Sequence, residues 1–542
     1  MGGHCSVLLQ HRWTWTTERL KGASKSSMSV SSKSGPTTQA TVSANTKYTS
    51  SHIIDEMVEV IGQILDDQLV AEMSKSPVWG LMVDEATDIS VTKQLGLVVS
   101  FLGPNHVGVT AVKTRVLHLG AVSAGDAATL YDTILRVIRD DKMLPTDKLA
   151  SFASDGAAVM IGRKAGVGKR LQDLFPGLVT VHCVAHRLNL AVSDCIKGQR
   201  AVQYLTKYAR TVGTIFWFYQ ASSNRTSSLK DMERLFEIPQ IKLQGGNATR
   251  WESNKEATDV MHRILPALIA DLSLQARNEP TAEGLYNFVK DKFFPPALCL
   301  MQLVHEKIHR QFLVFQKRNL FFSQVEQEVT VLKASLAQLM ESNMVKDRWQ
   351  AWLQSDVMVP FLTALTENID NRFPNTGSLS VFSVFSPRQI LANLGAEYGD
   401  AEMRTLAEQF PRLRECDLLS EWSSYRLRVG SPDLKTKSLE EVLLWLVSAE
   451  STELYPTLSL AAAIALTAPV QTADVERLFS ALKIVKTPLC NRLKERHLDV
   501  CCKVAIDGPD QEALDYQECM RRFYKMKNRR LKCSLSGCEM CR

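Results

Sequence analysis

Between residues 78 and 153, short apolar runs alternate with turn residues, and this pattern constrains the fold more than any other feature. Three strand-like runs follow one another across short turns such as Gly103-Pro104-Asn105, which predicts an antiparallel meander. A helix and one further strand complete the order β-β-β-α-β, in which the first and fourth strands can lie side by side. The predicted elements are strands 78–83, 95–101 and 109–119, helix 127–138 and strand 149–153.

The rest of the ordered chain has helical periodicity. From about 200 to 438 strand signals are nearly absent, which predicts a separate α-helical region or a helical insertion. Ser438 and Glu441 have the spacing of a capping box, which predicts the start of a further helix. A later helix, ending before Pro488, has one apolar face formed by Val475, Leu478, Phe479, Leu482 and Val485.

Composition narrows the class of protein. A chain of 542 residues suffices for about three domains, and 45% apolar with 23% charged residues is ordinary for a globular protein. The longest apolar run, within 458–470, is too short for a transmembrane helix, and no signal peptide is visible. The 12 cysteines are therefore expected to be reduced thiols inside a cell. On these grounds the chain is not expected to be a secreted or a membrane protein.

Both ends of the chain are basic. Residues 1–50 hold six Lys or Arg against one acid and are rich in Ser and Thr, which predicts disorder, with a mitochondrial transit peptide as the alternative. Residues 511–542 are predicted to form a basic tail that also contains Cys533, Cys538 and Cys541. Its run 521–532 is typical of a nuclear-localisation or nucleic-acid segment, or of a solvated helix end. The candidate DNA contacts there are Arg521, Arg522, Lys525 and Lys527.

Two aspartates directly follow predicted strands. Asp84 ends the first strand, and Asp155 follows the fourth. If these strands are neighbours, the two carboxylates can share divalent cations that activate water or a 3′-hydroxyl against a phosphodiester. Carboxylate oxygens favour Mg²⁺ or Mn²⁺. The alternative is that each aspartate only caps a turn or a helix.

Three further segments contain candidate binding residues. Cys183 and His186 have zinc spacing, but two more ligands are missing nearby, so zinc is not expected and His186 with Arg187 could contact phosphates instead. Arg250 and Trp251 could hold a phosphate and stack on an unpaired base, although most tryptophans are core residues. Glu476 lies in the first turn of a helix, where acids usually interact with the helix dipole.

The C-terminal helices carry more apolar surface than one small core needs. Such a surplus predicts self-association, and the alternative is that these faces only cover the sheet. The candidate interface residues are Leu478, Phe479, Leu482 and Val485, together with Leu489 and Leu493 beyond Pro488.

Taken in order, these segments resemble the hAT superfamily of DNA transposases. The resemblance spans about 51–510 and is carried by residues 83–88, 154–157, 183–190, 250–251 and 475–480. It implies an α/β protein, predominantly helical overall, with an RNase H-like core interrupted by a large all-helical insertion. The expected domains are the tail 1–50, core 51–199, insertion 200–438, the rest of the core with a dimerisation region at 439–510, and the tail 511–542.

The resemblance also implies roles for single residues. Asp84, Asp155 and Glu476 match the family's catalytic, metal-binding triad, which uses Mg²⁺ or Mn²⁺. His186 matches a histidine near the active site, and Trp251 matches a tryptophan that stacks on a flipped base. Residues 1–50 lack the cysteine and histidine pairs of a BED-type zinc finger, with which such transposases usually read transposon ends.

Two functions follow as expectations. The first is a nuclear, DNA-binding transposase that cleaves phosphodiesters and transfers strands as a dimer or higher oligomer. The second is a domesticated, catalytically silent scaffold or transcriptional regulator that keeps the dimer. Neither a membrane nor a small-molecule substrate is expected as a partner.

Overall fold

The computed structural model describes residues 51–105, 107–197, 202–243, 245, 251–318, 320–341, 353–373, 377–393, 395, 397–488, 493–508 and 515–527. The chain forms two compact units. Unit 1 combines the chain up to Val181 with the chain from Val384 onward, and unit 2 is His182–Ser383. The predicted tail 1–50 lies outside the described residues.

Unit 1 is built around a five-stranded sheet. Its order is β3-β2-β1-β4-β5, with β1 and β3 antiparallel to β2 and with β4 parallel to β1. The meander and the pairing of the first and fourth strands are therefore confirmed. The fifth strand was not predicted, because four residues are too few to show a period. The strands are β1 (Trp79–Thr87), β2 (Lys93–Pro104), β3 (Thr110–Ala121), β4 (Leu149–Ser154) and β5 (Val179–His182).

Helices cover both faces of this sheet. In the N-terminal segment they are α1 (Ser51–Lys75), α2 (Ala127–Leu135), α3 (Ala158–Ile161) and α4 (Val167–Leu174). In the C-terminal segment they are α13 (Pro387–Ala392), α14 (Asp400–Gln409), α15 (Glu415–Arg428), α16 (Leu439–Leu446), α17 (Ala449–Leu454), α18 (Pro456–Thr467), α19 (Ala473–Val485), α20 (Glu495–Asp507) and α21 (Tyr516–Lys525). The capping box of Ser438 and Glu441 is present at the start of α16.

The edge strand β3 is covered by α20. Three acids of this helix accept hydrogen bonds from backbone N–H groups of the strand: Asp507 from Val116, Asp499 from Leu119, and Glu495 from Ala121. An uncovered edge strand would leave such donors unpaired and open to other chains. The C-terminal segment thus completes the sheet domain.

Unit 1 resumes earlier than the sequence predicts. Tyr425 donates a hydrogen bond to the carbonyl oxygen of Phe385, and Glu421 accepts the N–H groups of Thr457 and Leu458 at the start of α18. Helix α18 is buried and packs against β1, β2 and β4. Contacts of this kind join residues 384–438 to the sheet unit, so the helical insertion ends at 383 in this structure instead of 438.

The C-terminal basic run begins as a packed helix. Cys519 and Phe523 of α21 are buried against Met57, Val60 and Ile61 of α1. Apolar packing on one face explains why this part of the predicted tail is folded. Residues 528–542, with their three cysteines, lie outside the described residues.

Unit 2 is helical throughout its described part, as its periodicity predicts. Its helices are α5 (Val184–Lys197), α6 (Gln203–Gln220), α7 (Ser223–Leu235), α8 (Trp251–Gln275), α9 (Pro280–Val289), α10 (Phe294–Phe315), α11 (Phe322–Glu341) and α12 (Val359–Arg372). Helix α8 packs against α7, α9 and α10, while α12 packs against α5. Across the described residues of the whole chain, no helix is both long enough and apolar enough to span a membrane.

Candidate active site

Asp84 lies on the face of β1 that α19 covers. Met82 and Ala86 belong to the apolar cluster that includes Val475 and Leu478 of α19. Side chains along a strand alternate between its two faces, so Asp84 shares the face of these two residues. Its Oδ1 accepts the backbone N–H of Glu85 at 2.8 Å.

Asp155 lies at the neighbouring strand end. In the parallel pair of β1 and β4, Met82 is opposite Ala153, which belongs to the same apolar cluster. Asp84 is two residues beyond the first and Asp155 two residues beyond the second, so both acids lie just past the point where β1 and β4 stop pairing. Strand β1 continues to Thr87, so Asp84 lies within this strand and not at its end as predicted. The Oδ1 atom of Asp155 accepts the N–H of Ala157 at 3.2 Å.

Helix α19 brings Glu476 to this face. Gly96 pairs directly with Asp84, and a Cβ atom on this glycine would lie 2.7 Å from Cγ1 of Val475. Glycine is required here because the helix approaches the strand so closely. Glu476 is the next residue along α19 and is half-buried at the border of the helix–sheet contact.

The donor chemistry of these acids fits Mg²⁺ or Mn²⁺, since all three supply hard carboxylate oxygens. Neither Asp155 nor Glu476 is held in an ion pair with a Lys or Arg among the described residues. The side chains themselves are not gathered around one point: within that part of the chain, no group of three or more His, Cys, Asp or Glu is arranged to hold a metal ion. The shared metal site therefore stays a prediction.

Glu85, next to Asp84 on β1, is a fourth carboxylate near these acids. It is not among the residues that the sequence predicts for the site. Burial raises the pKa of its carboxyl group, Lys93 opposes that rise, and Asp155 adds to it. Its Oε1 atom is buried without a hydrogen-bond partner in the described structure. The only signal in the sequence was its position directly after Asp84.

A buried ion pair fixes the far end of α19. Lys486, just after the helix, contacts Asp88 at 2.6 Å, and the Asp88 side chain is almost fully buried. Burial raises the pKa of Asp88, but hydrogen bonds from Lys486 and from the N–H groups of Thr92 and Ser90 lower it further, so the net shift is downward. This pair ties the chain after β1 to the helix that carries Glu476.

The candidate phosphate contacts His186 and Arg187 lie on α5 in unit 2. The Nε atom of Arg187 donates to the carbonyl oxygen of Arg372, and its guanidinium lies 4.4 Å from the Phe373 ring centroid. Burial, partly offset by Cys183, lowers the pKa of Arg187 to about 10. The group stays charged at neutral pH, but its described contacts are within unit 2.

The second candidate pair begins α8. Trp251 is the first residue of this helix, and Arg250 lies outside the described residues. The stacking role of Trp251 stays a prediction.

The basic residues near the C-terminus contact acids of their own unit. Arg521 and Arg522 both pair with Glu518, and Arg522 also reaches Asp67 of α1. Lys527 contacts Glu56, also on α1, whereas Lys525 is exposed. Of the four candidate DNA contacts, only Lys525 forms no ion pair in the described structure.

The predicted dimer face of α19 is a core face, which corrects that assignment. Leu478, Phe479 and Leu482 are buried against the sheet of their own protomer. Val485 and Leu493 pack at the border of the same cluster, and Leu489 lies outside the described residues. An apolar stripe shows that a helix is covered but not by what, and here the sheet covers it.

Two family matches agree with this architecture. Residues 26–166 match the family described as ZMYM1/FAM200, RNase-like domain, and these include β1 to β4 with Asp84 and Asp155. Residues 424–506 match the hAT family C-terminal dimerisation region, which includes α19, α20 and Glu476. The fold and the two matches together define an RNase-like α/β core with a helical remainder. Both matches support a hAT-like, transposase-related protein. The second match also supports oligomerisation.

Proposed function

We propose that this protein cleaves DNA phosphodiesters with Asp84, Asp155 and Glu476 and divalent cations. The observation that carries the proposal is the contact of Val475 with Gly96, the strand partner of Asp84, because it brings residues 392 positions apart in the chain to one sheet face. Acids without a common role would not be expected to lie on the same face of the sheet.

The protein's own residues would act by position. Asp84 within β1, Asp155 just after β4, and Glu476 on the covering helix would hold Mg²⁺ or Mn²⁺. Bound metal supplies Lewis-acid activation of water or a 3′-hydroxyl and stabilises the leaving oxygen. The Asp88–Lys486 ion pair would keep α19 seated, so that Glu476 stays beside the two aspartates.

A nicking assay tests the proposal. The full chain should nick hairpin or branched DNA with Mn²⁺, and Glu476→Gln, Asp84→Asn and Asp155→Asn should each lower the rate by at least about 100-fold, since each removes a ligand. Glu408→Gln is the matched control, because Glu408 is an exposed acid of the same unit. Nicking that persists in the three variants would contradict the proposal.

A catalytically silent scaffold is the second candidate. The observation favouring it is that no group of three acids, histidines or cysteines in the described residues is arranged around a metal position. The same assay decides: absence of any metal-dependent nicking by the unsubstituted chain, with the dimer intact, supports the scaffold.

The dimer is proposed to use exposed residues of the matched region. Leu427 on α15 and Leu454 on α17 are 85% and 64% exposed, although both are large apolar side chains. Large apolar residues exposed within a dimerisation region are expected to meet a second copy. Leu427→Glu and Leu454→Glu should therefore shift light scattering toward the monomer mass. The control is Leu235→Glu, an equally exposed leucine of unit 2; a dimer that survives both changes would contradict this surface.

A nuclear location is proposed because the substrate would be DNA. Microscopy of the tagged full chain tests it, and a signal confined to the cytoplasm would contradict it.

A further inference from the structure

Trp217, on α6 of unit 2, stands out from its neighbours. It is 68% exposed, whereas the next two residues, Phe218 and Tyr219, are buried. Tryptophan is usually covered in a folded protein, and an exposed indole is typical of a binding surface. The ring of Phe216 contacts it edge-on at 5.2 Å between centroids, which supports the indole from one side.

Trp217 continues a row of exposed residues along α6. Lys207, Arg210, Thr214 and Trp217 are all exposed and follow one another at steps of three or four residues. Residues at these steps share one helix face. At 1.5 Å of rise per residue the row is about 15 Å long. We name these four residues the α6 stripe.

The segment that carries the stripe has charges of one sign. Residues 195–230 contain six Lys or Arg and not one Asp or Glu. In the described part of the chain neither Lys207 nor Arg210 forms an ion pair. The Lys207 ammonium lies 4.8 Å from the ring centroid of Phe288 on α9, so the neighbouring helix adds an aromatic surface and not an acid at that point.

Two acids of adjoining elements have other partners. Glu279 pairs with Arg225, and Asp291 accepts the backbone N–H of Phe293. The stripe therefore offers one accessible indole and two cations that form no ion pair among the described residues. A flexible polyanion with exposed flat rings complements such a surface.

We propose that the α6 stripe binds an unpaired nucleotide strand, with one base stacked on Trp217 and phosphates near Lys207 and Arg210. Stacking requires a free base face, which duplex DNA does not offer, so the strand is unpaired. The inference names a second surface for the DNA partner proposed above and does not involve the three acids.

Fluorescence anisotropy of the full chain with a labelled oligothymidylate tests the site. Trp217→Ala should weaken binding about tenfold, while Trp217→Phe keeps most of the affinity, because each stacked base contributes strongly. Lys207→Gln with Arg210→Gln should reduce the salt slope by about 1.4, since each of the two single-strand phosphate contacts contributes about 0.7. Leu235→Ala, an exposed apolar residue on α7, is the control and should bind like the original chain.

The outcomes separate this site from the proposed cleavage. Unchanged binding by Trp217→Ala, an unchanged salt slope, or an equal loss with duplex DNA overturns the stripe, and would leave the exposed indole to a protein partner. An equal loss with oligouridylate supports it as a site for unpaired strands of either sugar. Selective loss of strand binding in Trp217→Ala, with no metal-dependent nicking by any variant, supports the stripe and overturns the cleavage proposal.

Discussion

The two units differ in how far apart along the chain their contacting residues lie. In unit 1, the hydrogen bond between Asp507 and Val116 joins residues 391 positions apart, and Lys486 reaches Asp88 across 398. In unit 2, the longest-range hydrogen bond among the described residues, from Arg187 to Arg372, spans 185 positions. Unit 2 is one continuous segment, whereas the sheet of unit 1 is completed only when the C-terminal helices return. Unit 1 therefore depends on contacts between segments that are far apart in the chain.

The largest effect is expected at Lys503. Its ammonium is buried between Asp66 of α1 and Asp499, at 3.0 and 2.8 Å, and so links the two segments of unit 1. Lys503→Met should lower the free energy of unfolding by about 4 kcal/mol, because it removes the buried cation that two carboxylates share. Lys142 stays paired with Asp66, and the more exposed Arg496 stays near both acids. Lys333→Met, which breaks an exposed pair with Asp370 in unit 2, should cost less than about 1 kcal/mol. Hydrogen exchange of each unit measures both, and equal costs would contradict the comparison.

The next effect concerns two glycines. Gly96→Ala would place a methyl group against Val475, Phe479 and Leu478, and we expect a loss of about 3 kcal/mol as α19 is pushed from the sheet. Gly284 lies inside α9 of unit 2 with open space around its missing side chain. Gly284→Ala should instead stabilise by about 0.5–1 kcal/mol, because alanine favours the helix. Urea unfolding followed by exchange tests both signs, and a stabilising Gly96→Ala would show that α19 is not seated there.

The smallest effect is a dependence on pH. His182 is the last residue of β5 and the first of unit 2, and burial, followed by Arg187, His186 and Arg372, lowers its pKa to about 4. Burial lowers the pKa of His305 to about 3. Unfolded histidines bind a proton below about pH 6.5 and these folded ones do not, so unit 2 loses stability as pH falls from 6.5 toward 4. For His182 we expect about 2 kcal/mol, after a reduction for its partial exposure.

Unit 1 should respond less over the same range. Burial also lowers the pKa of its His118, but it is one such histidine against two. Burial raises the pKa of Asp66, and Lys503 and Lys142 lower it more, so the contribution of this acid is present above 3.8 and lost only below that pH. Hydrogen exchange at pH 7 and at pH 4.5 measures the free energy of unfolding of each unit, and His182→Asn should reduce the loss in unit 2 between the two pH values. A larger loss of stability in unit 1 than in unit 2 would contradict this prediction.

Local patterns in the sequence were sufficient to predict much of the fold and two of the candidate site residues. Short apolar runs and turns predicted the strands β1 to β4, and Asp84 and Asp155 became candidates because each one follows such a run. Helical periodicity predicted unit 2, since each of its helices shows its own apolar face. The capping box at Ser438 required only two residues at the right spacing.

The features that the sequence did not predict depend on contacts with residues that are distant in the chain. The sequence pattern of the apolar face with Leu478 and Phe479 is the same whether a sheet or a second copy of the chain covers that face. The boundary at 383 follows from contacts of Tyr425 and Glu421, and the role of Asp88 from a lysine 398 positions away. Glu85 acquires its raised pKa only from burial beside Asp155. None of these is encoded within one helical or strand period.

The central claim is that acids from both segments of unit 1 form one metal site, and iron-directed backbone cleavage tests it most directly. Fe²⁺ bound in place of Mg²⁺, with ascorbate and peroxide, cuts the chain near the metal. We predict cuts around Asp84, Asp155 and Glu476 together, all suppressed by excess Mg²⁺ and by Asp84→Asn. Cuts around the two aspartates with none around Glu476 would contradict the account.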